Sequence, residues 1–191
     1  FLDDLKIKIS PSRRLILMSI FLFLCIHFTP IKIFYVDLPF LTSLLSYNIF
    51  SSLFVLLCFL FVINGANLID GFNGLLTINL IIINSILAYI NLADGLNEFS
   101  VVIIGQIIVL FSFLLFNFPS AKIFLGDSGS YLLGSLVALN VIITNNLNPD
   151  YSSFFFCILL FYLFFEVFFS FFRKILKKKS PIHTDNETVS Y

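Results

Sequence analysis

The sequence predicts an all-α fold, a polytopic bundle of about six membrane-spanning helices. Of the 191 residues, 59% are hydrophobic and only 12% are charged, with a mean hydropathy of +1.04. Soluble domains carry about a quarter charged residues, so this composition excludes an ordinary soluble protein. Apolar runs of spanning length also recur along the whole chain. We therefore expect one integral membrane domain over residues 1–191.

The apolar runs occupy residues 15–34, 49–65, 75–92, 99–118, 131–144 and 154–172. Pro30 lies near the end of the first run, where a helix should bend or stop. Asn79 and Asn84 in the third run are expected to face other helices, and Gly134 in the fifth would allow close helix contact. Glu166 in the last run could share a face with Arg173, either as a structural ion pair or as support for a polar site.

The loops between these runs differ in charge. With about six spans, residues 1–14, 67–74, 122–130 and 173–191 lie on one side of the membrane. That side holds all eleven Lys and Arg except Lys32, whereas the opposite loops are acidic. The positive-inside rule assigns the basic side to the cytoplasm.

Three polar islands fall on this basic side. One is Asp3-Asp4, the second is Asn-Leu-Ile-Asp-Gly-Phe-Asn-Gly at residues 67–74, and the third is Lys-Ile-Phe-Leu-Gly-Asp-Ser-Gly-Ser at residues 122–130. Carboxylates set among glycines and hydroxyls are typical of loops that handle phosphate or a metal ion. Mg²⁺ is bound through one or two carboxylates plus substrate phosphates, and neighbouring Lys and Arg can hold a diphosphate. The pattern favours phosphoryl transfer.

Each island also has a structural interpretation. Asp3-Asp4 could be a solvated pair, and the Asp-Gly and Asn-Gly pairs of the second island are turn dipeptides. Alternatively, Asn67, Asp70 and Asn73 recur every three residues and would share one face of a helical turn. Gly126-Asp-Ser-Gly129 is not a serine-protease nucleophile segment, because a spanning helix follows it and no His and Asp are placed upstream for a triad.

These motifs together resemble the polyprenyl-phosphate N-acetylhexosamine-1-phosphate transferases of glycosyltransferase family 4. The family includes phospho-N-acetylmuramoyl-pentapeptide transferase and the enzymes that initiate O-antigen and teichoic-acid synthesis. The resemblance implies transfer of a sugar-1-phosphate from a UDP-sugar to polyprenyl phosphate, with release of UMP. It implies Mg²⁺ as cofactor, with Mn²⁺ as an alternative. It also implies more helices than this chain holds, so we expect a fragment that lacks N-terminal and C-terminal helices.

The resemblance assigns roles to individual residues. Asp3 and Asp4 match an aspartate pair linked to the lipid phosphate and catalysis, and Asp70 is assigned to catalysis and the metal. Asp127 matches the metal ligand. The implied substrate-binding residues are Asn67, Asn73, Lys122 and Phe124, with Phe124 packing on uracil. One departure concerns the tail, where Thr188 and Ser190 stand at positions that relatives fill with histidines.

Two other functions stay open at this stage, an inactive family member and a transporter or flippase of lipid-linked sugars. Transporters place ionisable groups near the membrane midplane, whereas most of those in this chain lie at the ends of the runs. The expected setting is a bacterial cytoplasmic membrane, with the site facing the cytoplasm. The expected partners are polyprenyl phosphate, a UDP-sugar and the membrane, with no nucleic acid and with a homodimer as an open alternative.

Overall fold

The structure is a computed structural model that describes the backbone of residues 11–176 and the side chains of residues 13–176 except Lys174. Helices dominate this range, and no strand occurs within it, which confirms the all-α prediction. The helices are α1 (Pro11–Phe28), α2 (Pro39–Leu45), α3 (Asn48–Ile69), α4 (Leu75–Ala93), α5 (Asn97–Asn117), α6 (Gly126–Leu147), α7 (Ser153–Leu159) and α8 (Phe161–Leu176).

The predicted count of about six spans is too high for the part of the chain that the structure describes. Four helices, α3 to α6, are long and apolar enough to cross a membrane, and the bent pair α7 and α8 makes a fifth if it is one span. These helices make the chain a multi-pass membrane protein. The hydropathy pattern thus identified the central spans, and its count of about six exceeds the four or five found among the described residues.

The first apolar run is shorter as a helix than the sequence predicted. Helix α1 ends at Phe28, and residues 29–38 are not helical. Pro30 disfavours helical geometry at the residue before it, so the helix cannot continue to residue 34.

The last apolar run breaks between α7 and α8, whose axes differ by 62°. No Pro or Gly lies in residues 151–176, although these residues cause most sharp kinks. The break lies at Leu160, the residue between the two helices. Helix α8 instead lies directly on α3, since a Cβ atom on Gly65 would sit 2.5 Å from the carbonyl oxygen of Leu163. This tertiary contact determines where α8 runs.

Helix α3 is the centre of the bundle. It packs against α1, α6 and α8, while α4 packs against α5 and α6. The predicted close contact at Gly134 is confirmed, because a Cβ atom there would lie 3.0 Å from the Cβ of Ala66 and 3.0 Å from the Cα of Ile63. Helices α3 and α6 therefore approach backbone to backbone just below the polar loops at the end of α3.

Buried amides link the neighbouring helices α4, α5 and α6. Asn140 Nδ2 donates to Asn84 Oδ1 at 3.1 Å and to Gln106 Oε1 at 2.7 Å. Asn84 is 1% exposed, which confirms that it faces other helices. Interhelical hydrogen bonds of this kind help to hold helices together where lipid gives no hydrophobic driving force between them.

Contacts between loops define two ends of the bundle. The start of α1, the end of α3 and the start of α6 meet through Arg14, Asn67 and Asp127, and we call this the site end. At the opposite end, the Tyr35 hydroxyl donates to the carbonyl oxygen of Asn145, and the Ser152 hydroxyl donates to Asp37 Oδ2. The two polar islands at residues 67–74 and 122–130 thus lie together, as predicted.

Candidate active site

Asp127 is the centre of the site end. It lies in the first turn of α6, directly after Gly126, whose φ of +65° lets the chain turn into the helix. Its side chain is 52% exposed, so a ligand can reach it from the loop side. Oδ1 accepts a hydrogen bond from Asn67 Nδ2 at 3.1 Å, and Oδ2 accepts one from Arg14 Nη1 at 2.5 Å. Both carboxylate oxygens are therefore held by side chains from other helices.

Asn67 fixes the position of Asp127 relative to α3. It lies in the last turn of α3, and its Nδ2 also approaches Ser130 Oγ at 3.0 Å. Ser130 is fully buried, and its hydroxyl donates to the carbonyl oxygen of Asp127 at 3.1 Å. The amide thus ties the first turn of α6 to the end of α3. The close helix contact at Gly134 makes this short bond geometrically possible.

Asp70 follows α3 as its C-terminal cap and is half-buried. Burial, and after it the negative charge of Asp127, raises the pKa of this carboxyl to about 6. Two carboxylates that repel each other in this way favour a shared cation, since an opposite charge nearby stabilises the ionised form. The pair fits an oxygen-binding divalent ion such as Mg²⁺, which needs only one or two protein carboxylates.

No group of three or more His, Cys, Asp or Glu residues suited to a metal occurs among the described residues. Mg²⁺ sites in general take their remaining ligands from water and substrate phosphates. Asp3 and Asp4, which the resemblance links to the lipid phosphate, lie outside the described residues. So do Thr188 and Ser190. Their predicted roles stay predictions.

Asn73 does not join Asn67 and Asp70 on one helical face, which corrects the periodicity argument. Helix α3 ends at Ile69, and the turn that follows ends at Gly74 with a φ of +77°. The Asn73 side chain donates instead to the carbonyl oxygen of Pro119 at 3.2 Å. Asn73 therefore connects the turn after α3 to the loop that follows α5.

Asn117 is a residue of the site that the sequence reasoning missed. Its Oδ1 accepts from the backbone N–H of Gly74 at 2.6 Å, and its Nδ2 donates to the carbonyl oxygen of Ile123 at 2.8 Å. It is 7% exposed. One buried amide thus fixes the two polar loops relative to each other. The only signal in the sequence was a single asparagine at the end of an apolar run.

Lys122 and Phe124 lie on the loop that leads into α6. Both side chains are exposed, and Phe124 is 73% exposed. The loop backbone is fixed by a bond from Lys122 N to the carbonyl oxygen of Phe116 at 2.9 Å. An exposed aromatic ring and an exposed ammonium group are thus presented on the loop that carries Asp127, where a base and a phosphate could be bound.

Glu166 does not take part in this cluster. Within residues 13–176, the structure gives it no ion pair with Arg173, and it lies beside Tyr162 on its own helix. The Arg173 Nε atom is buried without a hydrogen-bond partner in the same range. Of the two interpretations left open for Glu166, the ion pair is wrong for the described residues.

Comparison with known protein families matches residues 1–145 to glycosyl transferase family 4. The chain belongs to this family. The match includes the Asp3-Asp4 pair and both polar loops, so it covers the residues from which the resemblance was drawn.

Several curated family members are similar to this chain. An undecaprenyl-phosphate alpha-N-acetylglucosaminyl 1-phosphate transferase of Thermotoga maritima is 32% identical over 137 residues, which are 70% of this chain and 40% of that protein. A phospho-N-acetylmuramoyl-pentapeptide-transferase of Clostridium perfringens is 32% identical over 108 residues, or 56% of this chain and 34% of that protein. The enzyme of the same name from Leuconostoc mesenteroides is 44% identical over 82 residues, or 42% and 25%.

The chain thus spans about two fifths of the length of the Thermotoga relative. No solved structure matches the chain.

Proposed function

We propose that this glycosyl transferase family 4 chain forms the catalytic part of an enzyme that transfers a sugar-1-phosphate from a UDP-sugar to polyprenyl phosphate. The observation that carries the proposal is the meeting of Asp127, Asn67 and Asp70 at one end of the bundle. A substrate class of N-acetylhexosamine-1-phosphates is supported by the names of the relatives. The product that leaves is UMP.

The chemistry of the two substrates determines which bond forms and which bond breaks. An oxygen of the polyprenyl phosphate attacks the β-phosphorus of the UDP-sugar and forms a new P–O bond. The bond from the β-phosphorus to the bridging oxygen breaks, and its electron pair leaves with UMP. Positioning and charge neutralisation supply most of the catalysis in such a reaction.

The chain's own residues would divide the remaining work. Asp127 and Asp70 would hold Mg²⁺, or Mn²⁺ in its place, which neutralises phosphate charge when bound. Asn67 keeps Asp127 oriented through its bond to Oδ1. Phe124 would stack on uracil and Lys122 would bind a phosphate. Asn73 would keep the nucleotide loop against the loop at Pro119.

The polyprenyl phosphate would approach from the membrane, and Asp3 and Asp4 would act on its phosphate. We place the site end on the cytoplasmic side of a bacterial inner membrane. The support is the positive-inside rule, since every Lys and Arg of the chain except Lys32 falls in the loops predicted on that side.

The test is UMP release by the full-length protein in detergent, with polyprenyl phosphate, a panel of UDP-N-acetylhexosamines and Mg²⁺. Asp127→Asn should lower lipid-dependent UMP release by about 100-fold or more, the scale of removing one key electrostatic contact. Asp94→Asn is the matched control, because Asp94 is an exposed acid in the loop between α4 and α5. Equal loss in both variants, or activity in Asp127→Asn, would overturn the assignment of this site.

The two alternatives give different results in the same assay. A transporter would move a lipid-linked sugar across vesicles without releasing UMP. An inactive family member, which the departure at Thr188 and Ser190 favours, would bind the nucleotide with Mg²⁺ and give no turnover with any sugar.

A further inference from the structure

A cavity lies inside the bundle and extends from the end opposite the site toward the middle. Residues of α3, α6 and α7 form most of its wall, and its volume is about 110 Å³. Along α6 the cavity extends from Asn145, near the end of that helix, inward to Ala138. This stretch of helix is about 10 Å long, so the space is narrow for its length. A single unbranched hydrocarbon chain fits such a shape.

Two polar atoms at one end of the cavity have no hydrogen-bond partner within the part of the chain that the structure describes. They are Asn145 Oδ1 and Ser153 Oγ. Both residues line the cavity, and they are only 5% and 7% exposed. A buried oxygen without a partner is destabilising, and the interior of a membrane has no bulk water to satisfy it. The two atoms therefore point to a bound group that forms hydrogen bonds with them.

The rest of the lining excludes a charged ligand. None of the described residues that line the cavity is Asp, Glu, Lys, Arg or His, and the deeper wall is hydrophobic, with Val62, Leu160 and Phe164. An ion in this space would be buried without a counter-charge, which is strongly unfavourable. A hydroxyl group fits, because it can donate to Asn145 Oδ1 and accept from Ser153 Oγ.

The polar end of the cavity lies close to the loops at the end of the bundle. Asn145 is in the last turn of α6, and Ser153 begins α7, where its backbone N–H donates to Asp37 Oδ2 at 2.7 Å. The apolar end reaches toward the middle of the bundle, and the exposed Cys157 marks a side that faces lipid. A membrane lipid has the same order, with its polar head near the surface and its chain toward the midplane.

We propose that this cavity binds a single-chain lipid alcohol, with its hydroxyl between Asn145 and Ser153 and its chain along α3 and α6. The cavity is separate from the proposed transfer site, because it lies away from Asp127. The bound chain would fill the space beside Leu160, the residue between α7 and α8. It would thereby support a break in the last apolar run that no Pro or Gly explains.

The test is photolabelling of the full-length protein in phosphatidylcholine nanodiscs. The probe is decanol with a diazirine on its chain, and the matched probe is the methyl ether of the same molecule. The alcohol should label the cavity about fivefold more than the ether, because the ether cannot donate to Asn145 Oδ1. Mass spectrometry should find the label near Cys58, Val62 or Phe164. Equal labelling by both probes, or label spread evenly over the lipid-facing side of α5, would overturn the proposal.

Three variants separate the hydrogen bonds from the fit of the chain. Asn145→Leu keeps the size of the side chain and should be labelled equally by the two probes, since the acceptor is lost. Ser153→Ala should be labelled about fivefold less by both, because alcohol and ether each accept from Ser153 Oγ. Ser112→Ala should match the wild type, since Ser112 is an exposed serine of α5. A preference for the alcohol that survives in Asn145→Leu would contradict the bound hydroxyl, because steric exclusion of the ether would then explain it.

Competition tests the identity of the occupant. Unlabelled decanol in excess should remove the label from the cavity, whereas polyprenyl phosphate should not, because its ionised head does not fit between Asn145 and Ser153. Displacement by polyprenyl phosphate and not by decanol would assign the cavity to the chain of that lipid, and the proposed lipid alcohol would be wrong.

Discussion

At the scale of single residues, the site depends on two acids with different surroundings. Asp127 is half-exposed and neutralised by Arg14, whereas Asp70 is half-buried at the end of α3. The pKa of Asp70 is raised to about 6, first by burial and then by the charge of Asp127. In the metal-free protein, the protonation of Asp70 therefore changes around pH 6.

The raised pKa predicts a pH dependence of stability with a definite sign. Between its unfolded pKa and about 6, Asp70 binds a proton more readily in the folded state, so folding becomes more favourable as the pH falls through this range. At pH 7.5 the carboxylate is charged and its burial is destabilising. Asp70→Asn removes that charge and should raise the unfolding temperature at pH 7.5, with a gain that shrinks toward pH 5.5.

The measurement is thermal unfolding in detergent with a chelator present, for the wild type and Asp70→Asn at several pH values. Asp94→Asn serves as the control, because Asp94 is an exposed acid with the same charge. If the increase in unfolding temperature caused by Asp70→Asn became larger as the pH fell, this account of Asp70 would be contradicted.

At the scale of elements, the position of α8 depends on the absence of a side chain in α3. A Cβ atom on Gly65 would lie 2.5 Å from the Leu163 carbonyl oxygen and 2.9 Å from the carbonyl carbon. Both are backbone atoms and cannot rotate away. Helix α8 would have to shift as a body to accept any other residue at position 65.

Gly65→Ala should therefore destabilise the bundle by about 1–3 kcal/mol, the usual cost of overpacking a tight interface. Gly105→Ala in α5 is the matched control, because a Cβ atom there meets nothing within 4 Å. That substitution should be neutral or stabilising by up to about 1 kcal/mol, since alanine is the better helix former. The half-life of the folded protein in detergent at a fixed elevated temperature gives the comparison. A longer half-life for Gly65→Ala than for Gly105→Ala would contradict the close contact of α3 and α8.

The elements also show what hydropathy can and cannot predict. Helices α3 to α6 were predictable, because each is a long apolar run between polar loops. The break at Leu160 was not, since it depends on α8 meeting α3 at Gly65 and no local residue marks it. The end of α1 at Phe28 was predictable only in part. Pro30 indicated a bend or a stop, but the apolar run continues beyond it to residue 34.

The residues of the site also fall into those that the sequence predicted and those that it did not. Asp70, Asn67 and Asp127 stood out because polar residues between apolar runs are few. Arg14 and Asn117 did not, since their importance lies in contacts that span 113 and 43 residues of sequence. Motifs therefore predicted which loops form the site, whereas the side chains that hold those loops became apparent only in three dimensions.

At the scale of the whole molecule, the two ends of the bundle should lie on opposite sides of the membrane. Ser120→Cys would place a thiol on the exposed loop at the site end, and Asp150→Cys would place one on the exposed loop at the other end. With Cys25, Cys58 and Cys157 replaced, a membrane-impermeant maleimide should label only Asp150→Cys in intact cells whose inner membrane is accessible. It should label Ser120→Cys only after that membrane is opened. The reverse pattern would contradict a cytoplasmic site.

The central claim is that this site transfers a phosphate together with the sugar. The most direct measurement uses a UDP-N-acetylhexosamine labelled with ³²P at the β-phosphate, together with polyprenyl phosphate, Mg²⁺ and the full-length protein. The account predicts that the label moves to the lipid while unlabelled UMP is released, and that Asp127→Asn abolishes both. Label that stays in soluble UDP while the sugar reaches the lipid would mean that the sugar–oxygen bond breaks instead, and the account would be wrong.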